Sequence, residues 1–109
     1  MIDKKHFANA RKEKWRLLFN DPMSIGVIGN ASRAMKLFAV SKNGYAISCI
    51  EDPDEEMKIA AVKQKPMAIN YILNPSEQVQ MTAVQGDPGI LHLIRNPYPS
   101  VLMIGMLLK

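Results

Sequence analysis

Apolar and polar positions along this chain repeat with a spacing of 22 residues. Three consecutive segments align without gaps: LFAVSKNGYAISCIEDPDEEMK (37–58), IAAVKQKPMAINYILNPSEQVQ (59–80) and MTAVQGDPGILHLIRNPYPSVL (81–102). Ala39-Val40 recurs as Ala61-Val62 and Ala83-Val84. The register runs backwards through WRLLFNDPMSIGVIGNASRAMK (15–36) and forwards into MIGMLLK (103–109), which begins a further unit. Two apolar columns follow, Ile25, Ile47, Ile69, Leu91 and Ile28, Ile50, Ile72, Ile94. A fixed period of this length marks stacked supersecondary units, none of which can bury its own apolar face alone.

Polar punctuation divides each unit into two short helices. Asp52-Pro53, Asn74-Pro75 and Asn96-Pro97 predict the start of the first helix, with Asn or Asp as cap and proline at the first helical position. Asp54, Glu55, Glu56 and Glu77 then fall in the first turn, where the helix dipole favours them. Val79, Ala83 and Val84 mark a buried stripe at helical spacing. The second helix starts at Asp21-Pro22, Asn43-Gly44, Lys65-Pro66 or Asp87-Pro88. It spans about two turns and is expected to be partly 3₁₀, because helices this short depend on packing. The column Ala39, Ala61, Ala83, Gly105 holds small residues, which let adjacent helices approach closely. The expected fold is all-α: a short right-handed α-solenoid of about four two-helix repeats (15–36, 37–58, 59–80, 81–102). A basic N-terminal cap (1–14) precedes them and a partial terminal repeat (103–109) follows.

The segment DPDEEMKIAAVKQKPMAINYILNPSEQVQMTAV resembles tandem short helical repeats of the form N-P-S-E-E-V-Q-x-A-A-V-K-Q-N-P-x-A-I-x-Y-I, found in bacterial and bacteriophage proteins. It is also similar to the leucine-rich repeat variant, a HEAT-like solenoid that alternates α and 3₁₀ helices. The resemblance covers roughly residues 15–109 and is strongest over 51–94. Residues 1–14 lie outside it, and PYP at 97–99 departs from it with a second proline expected to distort the last helix start. It implies a scaffold with an interaction surface, encoded by a phage or mobile element, and transfers no catalytic residue.

Composition narrows the function classes. The 109 residues are one domain by length, and 48% hydrophobic with 22% charged residues is ordinary for a globular chain. One cysteine, Cys49, offers neither an internal disulfide nor a metal-binding pair, which fits a cytoplasmic location. The start MIDKKHFANARKEK lacks the apolar run of a signal peptide, and VLMIGMLL (101–108) is too short to span a bilayer, so no membrane partner is expected. The net charge of +4 resides in the first 20 residues, and the remaining 89 carry eight basic and eight acidic side chains. A nucleic-acid surface along the whole body is therefore disfavoured.

No side chains announce a reaction, and no cofactor motif is present. The acidic cluster Glu51, Asp52, Asp54, Glu55, Glu56 is accounted for as a helix start. His6 and His92 are far apart, and neither aligns with Cys49. Three regions are candidates for binding. The first is a stripe on the second helices comprising Tyr45, Ser48, Met67, Asn70, Tyr71 and His92, in polar and apolar columns that include Gly26 and Met23. Tyr and Met suit contact surfaces, and they equally serve to cover the core. The second is the basic segment carrying Lys4, Lys5, Arg11, Lys12 and Lys14, either a polar solenoid cap or a phosphate-binding patch, with Phe7, Trp15, Leu18 and Phe19 as inward anchors. The third is the C-terminal helix, whose Leu102, Met106, Leu107 and Leu108 form an apolar side suited to a homodimer contact. The expected role is a non-enzymatic protein–protein interaction module. The alternatives are a nucleic-acid-binding helical repeat and a homo-oligomeric structural component.

Overall fold

The computed structural model describes the backbone of residues 4–108 and the side chains of residues 11–108. Among the described residues, α-helices α1 (Lys4–Asn20), α2 (Arg33–Lys42), α3 (Glu55–Gln64), α4 (Glu77–Gly86) and α5 (Pro99–Leu108) alternate with short 3₁₀ helices. The 3₁₀ helices are η1 (Pro22–Gly26), η2 (Gly44–Cys49), η3 (Pro66–Tyr71) and η4 (Pro88–Leu93), and no strand occurs among the described residues. The first residues of α2 to α5, and those of η1 to η4, each recur at 22-residue intervals. α1 runs through residue 14 without a break. Among the described residues every helix packs only against elements of its own or an adjacent 22-residue segment, which draws the chain out to 60 × 21 × 15 Å.

The second helices are 3₁₀ throughout. Asp21, Asn43 and Asp87 cap η1, η2 and η4 by accepting the N–H two residues on, from Met23, Tyr45 and Gly89. Lys65, which precedes η3, makes no such bond, and Pro66 supplies the start instead. The first helices begin later than their Asn/Asp-Pro pairs predict. Their caps are Ser32, Asp54 and Ser76, which accept from Met35, Met57 and Val79. Asn30, Asp52 and Asn74 instead adopt left-handed backbone, with φ of 54°, 48° and 49°. Each of these turns reverses the chain at the end of a 3₁₀ helix, and Asn and Asp tolerate that region because their short polar side chains bond locally. The last helix start departs from the other three, because Asn96 lacks the left-handed backbone of Asn30, Asp52 and Asn74. Pro99 occupies the first position of α5, where its missing N–H has no intrahelical partner to lose.

The core is a set of buried columns. Met35, Met57, Val79 and Val101 face inward one helix after another, as do Ala39, Ala61, Ala83 and Gly105, and Val40, Val62 and Val84. Ile47, Ile69, Ile50, Ile72 and Ile94 close it from the 3₁₀ side. In η4 the column shifts: Ile90 is buried where Ala46 and Ala68 stand in η2 and η3, and Leu91 is only half-buried. Contacts between segments also follow the breaker column. A Cβ on Gly44 would lie 2.4 Å from the Ala61 carbonyl oxygen, so α3 and η2 are in tight contact there. Gly44 keeps an N–H, which donates to Gln64 Oε1 at 2.6 Å. One segment later Pro66 has no N–H, and the position equivalent to Gln64 is Gly86, where a Cβ would meet Pro66 Cγ at 3.0 Å.

Candidate interaction site

The 3₁₀ helices present one side of the chain, and the sequence-predicted stripe is found there. Tyr45 of η2 is half-buried against the core, and its ring meets that of Tyr71 edge to face at 5.8 Å and 80°. Lys65 Nζ sits 4.9 Å from the centre of the Tyr45 ring, an arrangement favoured by the ring quadrupole. Ser48 Oγ donates to the Tyr45 carbonyl at 2.8 Å, so its hydroxyl is committed within η2. Tyr71 is 57% exposed, and Met67, Asn70 and His92 are exposed as well. The stripe thus brings Tyr45, Tyr71 and Lys65 together and leaves Met67 and Asn70 to solvent. The sequence reading missed three exposed apolar neighbours: Val27, Leu93 and Leu73, the last 87% exposed. Val27, Cys49, Tyr71 and Leu93 share one column, and that unbroken apolar column was the available signal.

The acidic residues and the helix starts form a chain of contacts from one segment to the next. Arg33 donates through Nε to Asp54 Oδ2 at 2.8 Å and through Nη2 to Glu56 Oε2 at 2.5 Å. Ser76 Oγ donates to Glu55 Oε2, and Ser100 Oγ to Glu77 Oε1 at 2.5 Å. In each case the first residue of one α-helix reaches the start of the next. The Met57 N–H that Asp54 caps, and then the Arg33 guanidinium, hold the Asp54 carboxyl below the usual carboxylate range. Hydrogen bonds to Glu56 and Asp54 in turn raise the Arg33 pKa. No group of three His, Cys, Asp or Glu side chains converges to hold a metal among the described residues.

At the N-terminal end, Lys14 Nζ donates to the Gly29 carbonyl at 2.9 Å, and Arg16 pairs with Glu13 at 2.8 Å. Arg11 and Lys12 are exposed, whereas the side chains of Lys4, Lys5, His6 and Phe7 lie outside the described residues. Leu18 is fully buried and Trp15 packs edge-on against Phe38 at 5.5 Å. Phe19 is not an inward anchor: it is 73% exposed and rests on the outer side of Phe38, with centroids 5.5 Å apart. Its position next to Leu18 on α1 turns it away from the column that Leu18 fills.

α5 buries Val101 and Gly105 and leaves Leu102, Met106, Leu107 and Leu108 exposed, together with Met103, which the sequence reading omitted. No helix among the described residues is long and apolar enough to cross a membrane.

A groove of about 860 Å³ opens between the turn after η3 and the turn after η4. Leu73, Leu93 and Tyr98 supply apolar surface, Asn70, Asn74 and Asn96 supply carboxamides, and Arg95 is the one charged side chain lining it. Its floor is fixed by Gln80, only 3% exposed, which donates through Nε2 to the carbonyls of Pro75 and Asn96, each at 3.3 Å. The same carboxamide accepts the Tyr98 N–H through Oε1 at 3.0 Å. Comparison of the chain with known protein families, curated proteins and solved structures finds no match.

Proposed function

We propose that this chain is a non-enzymatic protein–protein interaction module, built as a short right-handed solenoid of about four two-helix repeats, whose 3₁₀ side meets a protein partner. The observation that carries the reading is the apolar surface on that side, where Tyr71, Leu73, Leu93 and Met67 stand exposed over a core already closed by Ile69, Ile72 and Ile94. These side chains are not needed to complete the core, and exposed apolar groups gathered on one face mark interaction surfaces. The Tyr45–Tyr71 pair adds rigid amphipathic area of the kind enriched at interfaces. A single cysteine outside any disulfide fits action in the cytoplasm, and a phage or mobile-element origin rests on the sequence resemblance alone. The nucleic-acid alternative is weakened because Lys14 and Arg16 are engaged within the chain.

A photo-crosslinking residue in place of Tyr71, and in a separate variant in place of Lys58 on α3, tests the reading in extract of the source cells. A discrete protein adduct at Tyr71 and none at Lys58 is expected. Equal labelling at both positions, or turnover of a substrate abolished by one substitution, overturns it.

A second reading, self-association through α5, is favoured by the exposure of Met103, Met106 and Leu107, the last 74% exposed. Light scattering of the wild type and of Leu107→Glu decides it. A dimer that the substitution dissociates is expected, and a monomer in both removes the reading.

A further inference from the structure

Four positions lining the groove between the turns after η3 and η4 differ from their equivalents in the preceding segments. Gln80 stands where Lys36 and Lys58 stand, and Arg95 where Gly29, Glu51 and Leu73 stand. Tyr98 replaces the capping residues Ser32, Asp54 and Ser76, and Pro99 replaces Arg33, Glu55 and Glu77. All four line the groove. The departures are also coupled. The Gln80 carboxamide accepts the Tyr98 N–H, so two of these positions meet directly. Packing alone does not call for an arginine at position 95, because its side chain is exposed and forms no ion pair among the described residues.

We infer that this groove binds an extended peptide segment of a partner protein that carries an aspartate or glutamate beside an apolar side chain. The inference rests on the protein-interaction reading and assigns it a second, specific site. Charge complementarity selects the ligand: Arg95 is the one charged group of the lining, and a guanidinium pairs a carboxylate through two parallel N–H donors. The apolar neighbour is received between Leu93 and Tyr98, with Leu73 at the rim. An extended backbone offers alternating N–H and C=O groups, and the carboxamides of Asn70, Asn74 and Asn96 can both donate to and accept from it. The volume lies within the range of small-ligand and peptide-side-chain pockets. The three hydrogen bonds of Gln80 tie both walls together before a ligand arrives, which lowers the ordering cost of binding.

A random heptapeptide library displayed on yeast, selected against the full chain, provides the test. The enriched peptides are expected to share an Asp or Glu within two residues of an aliphatic or aromatic side chain. In fluorescence anisotropy with one such peptide, Arg95→Gln and Tyr98→Ala are each expected to weaken binding at least about tenfold, the loss of a charge-assisted hydrogen-bonded pair or a buried aromatic contact. Both positions are exposed, and circular dichroism checks that both variants fold. Absence of enrichment, enriched peptides without a carboxylate, or affinity unchanged by Arg95→Gln overturns the assignment. Peptides that ignore Arg95 and lose binding with Tyr71→Ser overturn the groove while sustaining the broader interaction reading.

Discussion

Gln80 and Tyr98 are 18 residues apart, and the buried carboxamide of the first accepts the backbone N–H of the second at 3.0 Å. The same side chain donates to Pro75 and Asn96, so one residue satisfies three backbone groups in two successive turns. Replacing Gln80 with leucine keeps the volume and orphans those groups. Gln80→Leu is expected to destabilise the fold by about 1–3 kcal/mol, the cost of leaving buried polar groups unpaired. Lys58→Leu, at the equivalent position of the preceding segment, is expected to stay within about 0.5 kcal/mol. Urea unfolding of the two variants checks the contrast, and equal effects would remove the clamp role.

Gly44 and Gln64 form a matched pair of another kind. Adding a methyl group at Gly44 drives it into the Ala61 carbonyl, while removing the Gln64 side chain orphans the Gly44 N–H. Gly44→Ala is expected to cost about 1–3 kcal/mol through overpacking, and Gln64→Ala about 1 kcal/mol or more. Because both act at one contact, the double variant is expected to cost less than their sum, which a double-mutant cycle in urea measures.

Acid sensitivity follows from Asp54. Its folded-state pKa lies below its unfolded value, first because of the Met57 N–H it caps and then because of Arg33. A lowered pKa contributes stability that is complete above the unfolded pKa and is lost as pH falls through the folded one. Stability should therefore decline below about pH 4. Asp54→Asn keeps a capping acceptor but does not titrate, so its stability curve should be flatter there. Urea midpoints collected between about pH 2 and 7 decide it, since parallel curves for the two proteins would contradict the role.

The small-residue column sets the spacing of the α-helices. Ala61 is fully buried between α2 and α4, so Ala61→Leu is expected to cost about 1–3 kcal/mol or more. Val62→Ala beside it should cost about 1–3 kcal/mol by cavity formation. Met67→Ala on the exposed 3₁₀ side should change stability by less than about 0.5 kcal/mol. Thermal unfolding of the three variants orders them, and a large loss at Met67 would mean that it supports the core instead of facing outward.

The candidate surfaces were only partly legible in the sequence. The stripe residues follow from register, because a column that is not buried must face outward. That Tyr45 and Tyr71 touch does not follow, since they lie in different columns and meet only through the offset between η2 and η3. The basic segment was visible as a charge run, but the use of Lys14 as a donor to Gly29 depends on how α1 lies over the turn after η1. The groove was invisible, because its walls come from two turns and its clamp is a single glutamine inside an apolar helix face.

By itself the sequence determined the helical class, the 22-residue spacing of the helix starts and most of the buried columns. The reason is that burial is a requirement common to every segment and recurs at the same position in most of them, the shift to Ile90 in η4 being an exception. The tertiary structure alone decided where the α-helices begin, with Ser32, Asp54 and Ser76 as caps and Asn30, Asp52 and Asn74 in left-handed turns. It alone decided the carboxylate contacts between helix starts and the Gln80 clamp. Those features depend on distances of a few ångströms between neighbouring segments. A hydrophobic period fixes which side of a helix is buried, and only the packed chain fixes what each polar side chain can reach.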